Sequence, residues 1–223
     1  MKIRRLFLLS LTATIAACSG PNAPPASNTR ITNYQAQGNL QSTHAIGCPA
    51  SNQLKNTYTP ADLYPAIAEC VRAKDYGKAA FIFALAGVYT RFDEQRVADE
   101  TSHDVMSVYM YRLGATFSDR EKQALSKSVS ALMDNPDELK TTCARIRAIG
   151  PPAYYPHYMV QHGMQAFGGN APHRELVPNF NPDKAWERSL GSYLHCSGVQ
   201  AGTPTNDQPI KDGRRAGPRE LHA

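Results

Sequence analysis

The ten residues Ala79-Ala80-Phe81-Ile82-Phe83-Ala84-Leu85-Ala86-Gly87-Val88 carry no polar side chain. As an α-helix such a run spans about 15 Å, half of the ~30 Å hydrocarbon core of a bilayer. It is too short to be a membrane anchor and apolar on every side. It therefore predicts a central helix, placed over Tyr76 to Tyr89, that other elements must cover. Those elements are announced by dense helix punctuation. Thr59-Pro60-Ala61-Asp62 supplies an N-cap, a proline at the first helical position and an acid in the first turn, and Leu63, Ile67, Cys70 and Val71 follow at helical spacing. Thr101 is placed to cap a third helix with Val105, Met106, Tyr109, Met110 and Leu113 on one side. Ser118-Asp119-Arg120-Glu121 is a full capping box for a fourth, running to about Met133. Asn135-Pro136 opens a fifth that Gly150-Pro151-Pro152 closes, with Leu139, Cys143 and Ile146 facing inward. Pro156 to Phe167 is predicted as a sixth, and Asn181-Pro182-Asp183 opens a seventh with Trp186, Leu190, Tyr193 and Leu194 as its stripe.

No segment alternates with period two between hairpin turns, so the predicted fold class is all-α, with about seven helices in a compact helical-hairpin domain. The hydrophobic share of 42%, the charged share of 19% and a mean hydropathy of -0.44 exclude a wholly disordered chain and a multispanning membrane protein. Residues 63–86, with Ala66, the turn Asp75-Tyr76-Gly77-Lys78-Ala79, then Phe83 and Ala84, resemble a tetratricopeptide or Sel1-type helix pair. The first helix lacks the Trp-x-x-Leu-Gly pattern of those repeats, and later pairs do not repeat the motif. The resemblance implies a concave helical surface for a protein partner.

At the N-terminus, Lys2, Arg4 and Arg5 precede a short apolar stretch, Leu6 to Ala17, the arrangement of a secretory signal. Ile15-Ala16-Ala17-Cys18 resembles the lipobox of bacterial lipoproteins. That resemblance implies removal of residues 1–17, acylation of Cys18 and attachment to a membrane through the lipid. Ser19, in place of Asp, implies the outer membrane, with the protein facing the periplasm. Removing 1–17 takes three of the 24 Lys and Arg away and leaves 21 against 19 Asp and Glu, so the electrostatic footprint expected of nucleic-acid binding is absent. Residues 18–57 lack apolar periodicity and are expected to be a flexible tether, with a root-mean-square reach of roughly 35 Å. The helical domain is assigned to 58–196, and 197–223, polar and rich in Gly and Pro, to a disordered tail.

Four cysteines follow Cys18: Cys48, Cys70, Cys143 and Cys196. In an exported chain they read as two disulfides, with three possible connectivities and no Cys-x-x-Cys pair for redox or zinc chemistry. Cys48 with Cys70 and Cys143 with Cys196 is the favoured set, because Cys48 precedes the first helix and its pair closes a short loop. The other connectivities stay open.

Two segments carry the candidate functional residues. Tyr154, Tyr155, His157, Tyr158 and His162 lie within nine residues, an aromatic group with polar tips suited to a protein interface. His157 and His162 fall about 140° apart on a helix, which argues against one metal ion. Arg91, Asp93, Arg96, Asp99 and His103 are placed between the second and third helices, with Asp99 four residues from His103. The chain has no Gly-x-Ser-x-Gly, no Gly-x-x-x-x-Gly-Lys and no His-Glu-x-x-His, and no cofactor or metal is called for. The expectation is a non-enzymatic, lipid-anchored envelope protein that binds a protein partner, a toxin or an envelope component, through Tyr154, Tyr155, His157, Tyr158, His162, Arg91, Asp93 and Arg96. The rival is a periplasmic hydrolase using His103, His157, His162 and Asp99, and a third reading is capture of a ligand in a pocket under the tyrosines.

Overall fold

Helix α1, Pro60–Arg72, starts where Thr59 and Asp62 cap each other. The Thr59 N–H donates to Asp62 Oδ2 at 2.9 Å, and the Asp62 N–H returns to Thr59 Oγ1 at 3.3 Å. A three-residue connector, with Lys74 left-handed at φ 59°, folds α2 back along α1. The computed structural model describes residues 36–168 and 174–196, all within one compact unit. In it α2 runs over 21 residues, Tyr76–Arg96, and packs against α1, α3 (Val105–Ala115), α4 (Asp119–Asp134) and α7 (Pro182–Leu194). The predicted central helix is thus the hub. It does not stop at Tyr89. No Gly or Pro interrupts Thr90 to Arg96, and the pairs Arg91–Glu94 and Asp93–Arg96, each 2.7 Å apart at i,i+3, carry the helix about two turns further. Arg91, Asp93 and Arg96 therefore sit on a helix, not in a connector.

The capping signals of α4, α5 (Pro136–Ile149) and α7 are realised. Asn135 Oδ1 accepts the N–H groups of Asp137 and Glu138, and Asn181 Oδ1 accepts that of Lys184. On α3 the prediction is corrected in two respects. Thr101 lies in a 3₁₀ turn, Glu100–Ser102, and does not cap the helix, and Met110 is exposed while Val105, Tyr109 and Leu113 are buried. The sixth helix is also corrected: α6 is a single turn, His157–Val160, followed by a 3₁₀ turn, Met164–Phe167. Gly163 separates them. A Cβ at Gly163 would stand 2.2 Å from Asp99 Oδ2, and Asp99 and Thr101 take the N–H groups of Gln165 and Met164 that a continuous helix would use internally. Among the described residues there is no strand, only an isolated bridge between Val97 and Leu176, and no helix is long and apolar enough to cross a membrane.

The favoured cysteine pairing is the one observed. Cys48–Cys70 ties the segment before α1 to that helix, and Cys143–Cys196 ties the end of α7 to α5. Residues 36–57, expected to belong to a flexible tether, are packed on the helices. Leu40 and Leu54 are buried, and the Leu40 N–H donates to the Tyr158 carbonyl. The segment lacks a helical stripe because it is held by the disulfide and by hydrogen bonds to other elements. Residues 1–17 with the proposed lipid site Cys18, residues 19–35 and the tail 197–223 lie outside the described residues.

Helix α7 reaches α2 at Gly87, where a Cβ would fall 2.0 Å from the Tyr193 ring. Alanine there gains ~1 kcal/mol in helix propensity but overpacks the contact, which costs ~1–3 kcal/mol. Gly87→Ala should lower stability in urea unfolding, and the same substitution in a Tyr193→Ala background should be neutral or stabilising. Equal effects in both backgrounds would contradict this packing.

Candidate functional site

The two segments singled out in the sequence meet around Asp93. Its side chain is fully buried on α2. Arg96, one turn on, donates from Nε to Asp93 Oδ1 at 2.7 Å, and its Nη2 lies 2.7 Å from the same oxygen. Tyr154 and Tyr158 donate to Asp93 Oδ2 at 2.9 and 2.7 Å. The Arg96 guanidinium lies over the rings of Phe92 and Tyr154, 5.1 and 5.0 Å from their centroids. Burial pushes the Asp93 carboxyl above its ordinary value, while Arg96 and the two tyrosine hydroxyls pull it the other way. Burial and the neighbouring Asp93 hold both tyrosines well above the usual phenol value, so they act as fixed donors. Tyr89 adds a further tie by donating to the Gly150 carbonyl at 2.8 Å.

This network corrects the predicted partner surface. Asp93 and Tyr158 are buried, and Tyr154 and Arg96 are largely so, which makes all four part of the interior. A polar cluster of Arg, Asp and Tyr looks alike in sequence whether it faces solvent or itself. Tyr155, 47% exposed, together with His157 and Arg91, remains at the surface. His162 is half-buried between Asn39 Oδ1, 2.9 Å from Nδ1, and Asp104 Oδ1, 3.1 Å from Nε2. The rival's residues are held in separate hydrogen-bonding environments. Asp99 accepts from Thr101 and Gln165, His103 Nε2 lies 3.1 Å from the Val97 carbonyl, and no hydrogen bond joins Asp99 to His103. Among the described residues no group of three His, Cys, Asp or Glu is placed to hold a metal ion.

A second buried carboxylate, Asp62, does more than the helix capping its position in the sequence predicts. Its Oδ1 accepts from the Thr43 and His44 N–H groups at 2.7 and 2.8 Å and from the Ser42 hydroxyl at 2.9 Å. Its Oδ2 takes the Thr59 N–H and hydroxyl. Asp62 thereby holds residues 42–44 opposite the tyrosine segment. Between them opens a cleft of about 520 Å³, lined by residues of both segments. Its outward glutamines and Gly38 gave no periodic or motif signal and were missed. Exposed apolar side chains form a separate feature. Val177 donates its N–H to the Arg96 carbonyl and the Glu175 carbonyl accepts from Ala98, while Met164 and Gln165 hang on Thr101 and Asp99. The Tyr155 hydroxyl donates to Glu175. Tyr155, Met164, Phe167 and Val177, all substantially exposed, are thus gathered about the end of α2. Comparison with protein-family models, curated proteins and solved structures finds no match to the chain.

Two measurements check this architecture. Asp93→Asn leaves Arg96 without its counter-charge and should cost ~3–5 kcal/mol in chemical denaturation, more than the ~1.5–3 kcal/mol of Tyr158→Phe. A loss under ~1 kcal/mol for Asp93→Asn would show that the pair contributes little. Burial raises the Asp62 carboxyl, but its hydrogen bonds from Thr59, His44, Ser42 and Thr43 outweigh that and hold it below its ordinary 3.8. A lowered folded value means that the stabilisation is complete above 3.8 and is lost as pH falls through the folded value. The amide proton resonances of Thr43 and His44 should hold steady down to about pH 4 and shift below it, and Asp62→Asn should abolish that transition.

Proposed function

We propose that this chain is a non-enzymatic, lipid-anchored protein of the bacterial cell envelope that binds another protein. The observation that carries the reading is the gathering of Tyr155, Met164, Phe167 and Val177 at one end of α2. Aromatic side chains and methionine are the types enriched in protein interfaces, and large apolar side chains exposed near one another on a small domain support an interaction site. The lipobox resemblance at Ile15 to Cys18 supports acylation of Cys18 and an outer-membrane location facing the periplasm. Two disulfides agree with an oxidising compartment. In this reading the α1–α2 hairpin is a tetratricopeptide or Sel1-like unit. The partner is a toxin that the protein neutralises, or a component of envelope or secretion-system assembly.

The test is capture of the tagged, full-length protein from its own cells after mild cross-linking. A stoichiometric protein partner should co-purify, and should be lost from a Met164→Asp, Phe167→Asp variant that keeps its helical circular dichroism. The membrane-bound fraction should become soluble on Cys18→Ser. No stoichiometric partner, or one retained by the double variant, overturns the binding surface, and membrane association unchanged by Cys18→Ser overturns the lipid anchor.

A further inference from the structure

The cleft of about 520 Å³ between residues 37–59 and 154–161 has the size of a small-molecule site, for which ~300–1,000 Å³ is usual. Its lining contains no Asp, Glu, Lys or Arg. Asp62 and Asp93, bonded to lining residues, are buried with their oxygens taken, and the Glu175 carboxylate beside Tyr155 accepts that tyrosine's hydroxyl. The lining thus offers no Lys or Arg to an anion and no carboxylate to a cation. Gln37, Gln41 and Gln161 line the cleft, and their amides make no hydrogen bond with the described residues. An apolar ligand would cover these amides without pairing them, at a desolvation cost of ~1–3 kcal/mol each. Each amide offers two donors and an acceptor, so three of them match a neutral ligand rich in both.

The aromatic wall adds the second requirement. Tyr154 and Tyr158 have committed their hydroxyls to Asp93, and Tyr155 its hydroxyl to Glu175, so none of the three hydroxyls is left for a ligand. Tyr158 is buried behind the cleft, and the ring surface open to it belongs to Tyr155 and the partly exposed Tyr154. His157 closes the wall because Gly38, at φ 90°, leaves it room. A Cβ on Gly38 would lie 2.5 Å from His157 Nε2. Rigid rings beside unpaired amides suit a molecule with apolar C–H faces and a rim of hydroxyls. An extended peptide is favoured less, because its main chain pairs with a strand edge and no strand is present among the described residues.

We propose that this cleft binds a neutral saccharide. The C–H face of a sugar ring rests on the tyrosine wall, and its hydroxyl or acetamido groups pair with Gln41, Gln161 and Gln37. The site adjoins the apolar surface at the end of α2 and shares only Tyr155 with it, and the proposal does not rest on the protein-binding reading.

The test is calorimetric titration of the full-length protein with triacetylchitotriose, with maltotriose and, as a peptide control, with N-acetyl-trialanine amide. At least one sugar should bind saturably with a Kd of about 10 mM or tighter. The double variant Gln41→Ala, Gln161→Ala should weaken it about tenfold or more. Gly38→Ala, which drives His157 from its place, should weaken it as well, with unchanged circular dichroism in both variants. Preference for triacetylchitotriose would identify an N-acetylated sugar of the wall type, and preference for maltotriose a simple glucan. No heat from either sugar, binding unaffected by the double variant, or binding of the peptide alone overturns the proposal. None of these substitutions touches Met164 or Phe167, so failure here leaves the protein-binding reading standing on its own test.

Discussion

The buried contact between Asp93 and Arg96 is the constraint on which the rest of the architecture depends. A carboxylate with no exposure is stable only if its charge is matched and its lone pairs are filled. Arg96 supplies the charge from the same helix, one turn away, so the pair is assembled by α2 alone. The remaining oxygen must then be satisfied from elsewhere, and Tyr154 and Tyr158 satisfy it. That requirement fixes where the irregular segment after α5 must run, although its only helix is a single turn. Hydrophobic packing holds the helices to α2, and this segment, whose Met159 and Val160 are also buried in the core, is held by the polar ties as well.

Asp62 solves the same problem on the opposite side. It caps α1 with one oxygen and gathers residues 42–44 with the other. Cys48–Cys70 fastens the same stretch covalently, and Leu40 reaches across to the Tyr158 carbonyl. Two segments with almost no regular structure are therefore each pinned by a buried carboxylate, and the cleft lies where they face one another. Its walls are prearranged by groups that are themselves fully occupied. The polar lining groups without a hydrogen bond to the described residues are the glutamine amides, the Thr57 hydroxyl and the His157 ring, and a wall held in place beside them lowers the entropy cost of binding.

What the sequence made legible follows from which signals are local. Caps at Thr59, Ser118, Asn135 and Asn181 need only three or four neighbouring residues, and the apolar run after Ala79 needs only its own composition, so the helices and the hub were readable. The pairing of the cysteines followed from the short loop that Cys48 and Cys70 close. The errors share the opposite property. The order of residues 36–57 depends on Asp62 and Cys70, outside the segment. The break at Gly163 depends on Asp99, more than sixty residues away. Whether Asp93, Tyr154 and Tyr158 face solvent or each other depends on two segments meeting, which no periodicity within either reveals. The segments were singled out correctly for their unusual chemistry, and the chemistry proved to be structural at its centre. The surfaces of interest lie at its margins, on Gln41, Gln161, Met164 and Phe167.

Tyr155 belongs to both margins. Its ring lines the cleft, and its hydroxyl contacts Glu175 beside Val177, in the exposed apolar group. Tyr154 and Tyr158, on either side of it, are held by Asp93 and cannot turn without breaking a charge-assisted hydrogen bond worth ~1.5–3 kcal/mol. Tyr155 has no such buried bond and is the movable member of the wall. On the two readings proposed above, an occupant of the cleft and a partner on the apolar surface share this one side chain. If the rotamer that seats a sugar also keeps the hydroxyl on Glu175, each ligand favours the other, and if it releases Glu175 the two oppose. Linkage requires the effect to be the same in both directions. The sign of that coupling is set at Tyr155, because the residues flanking it are fixed by the buried pair.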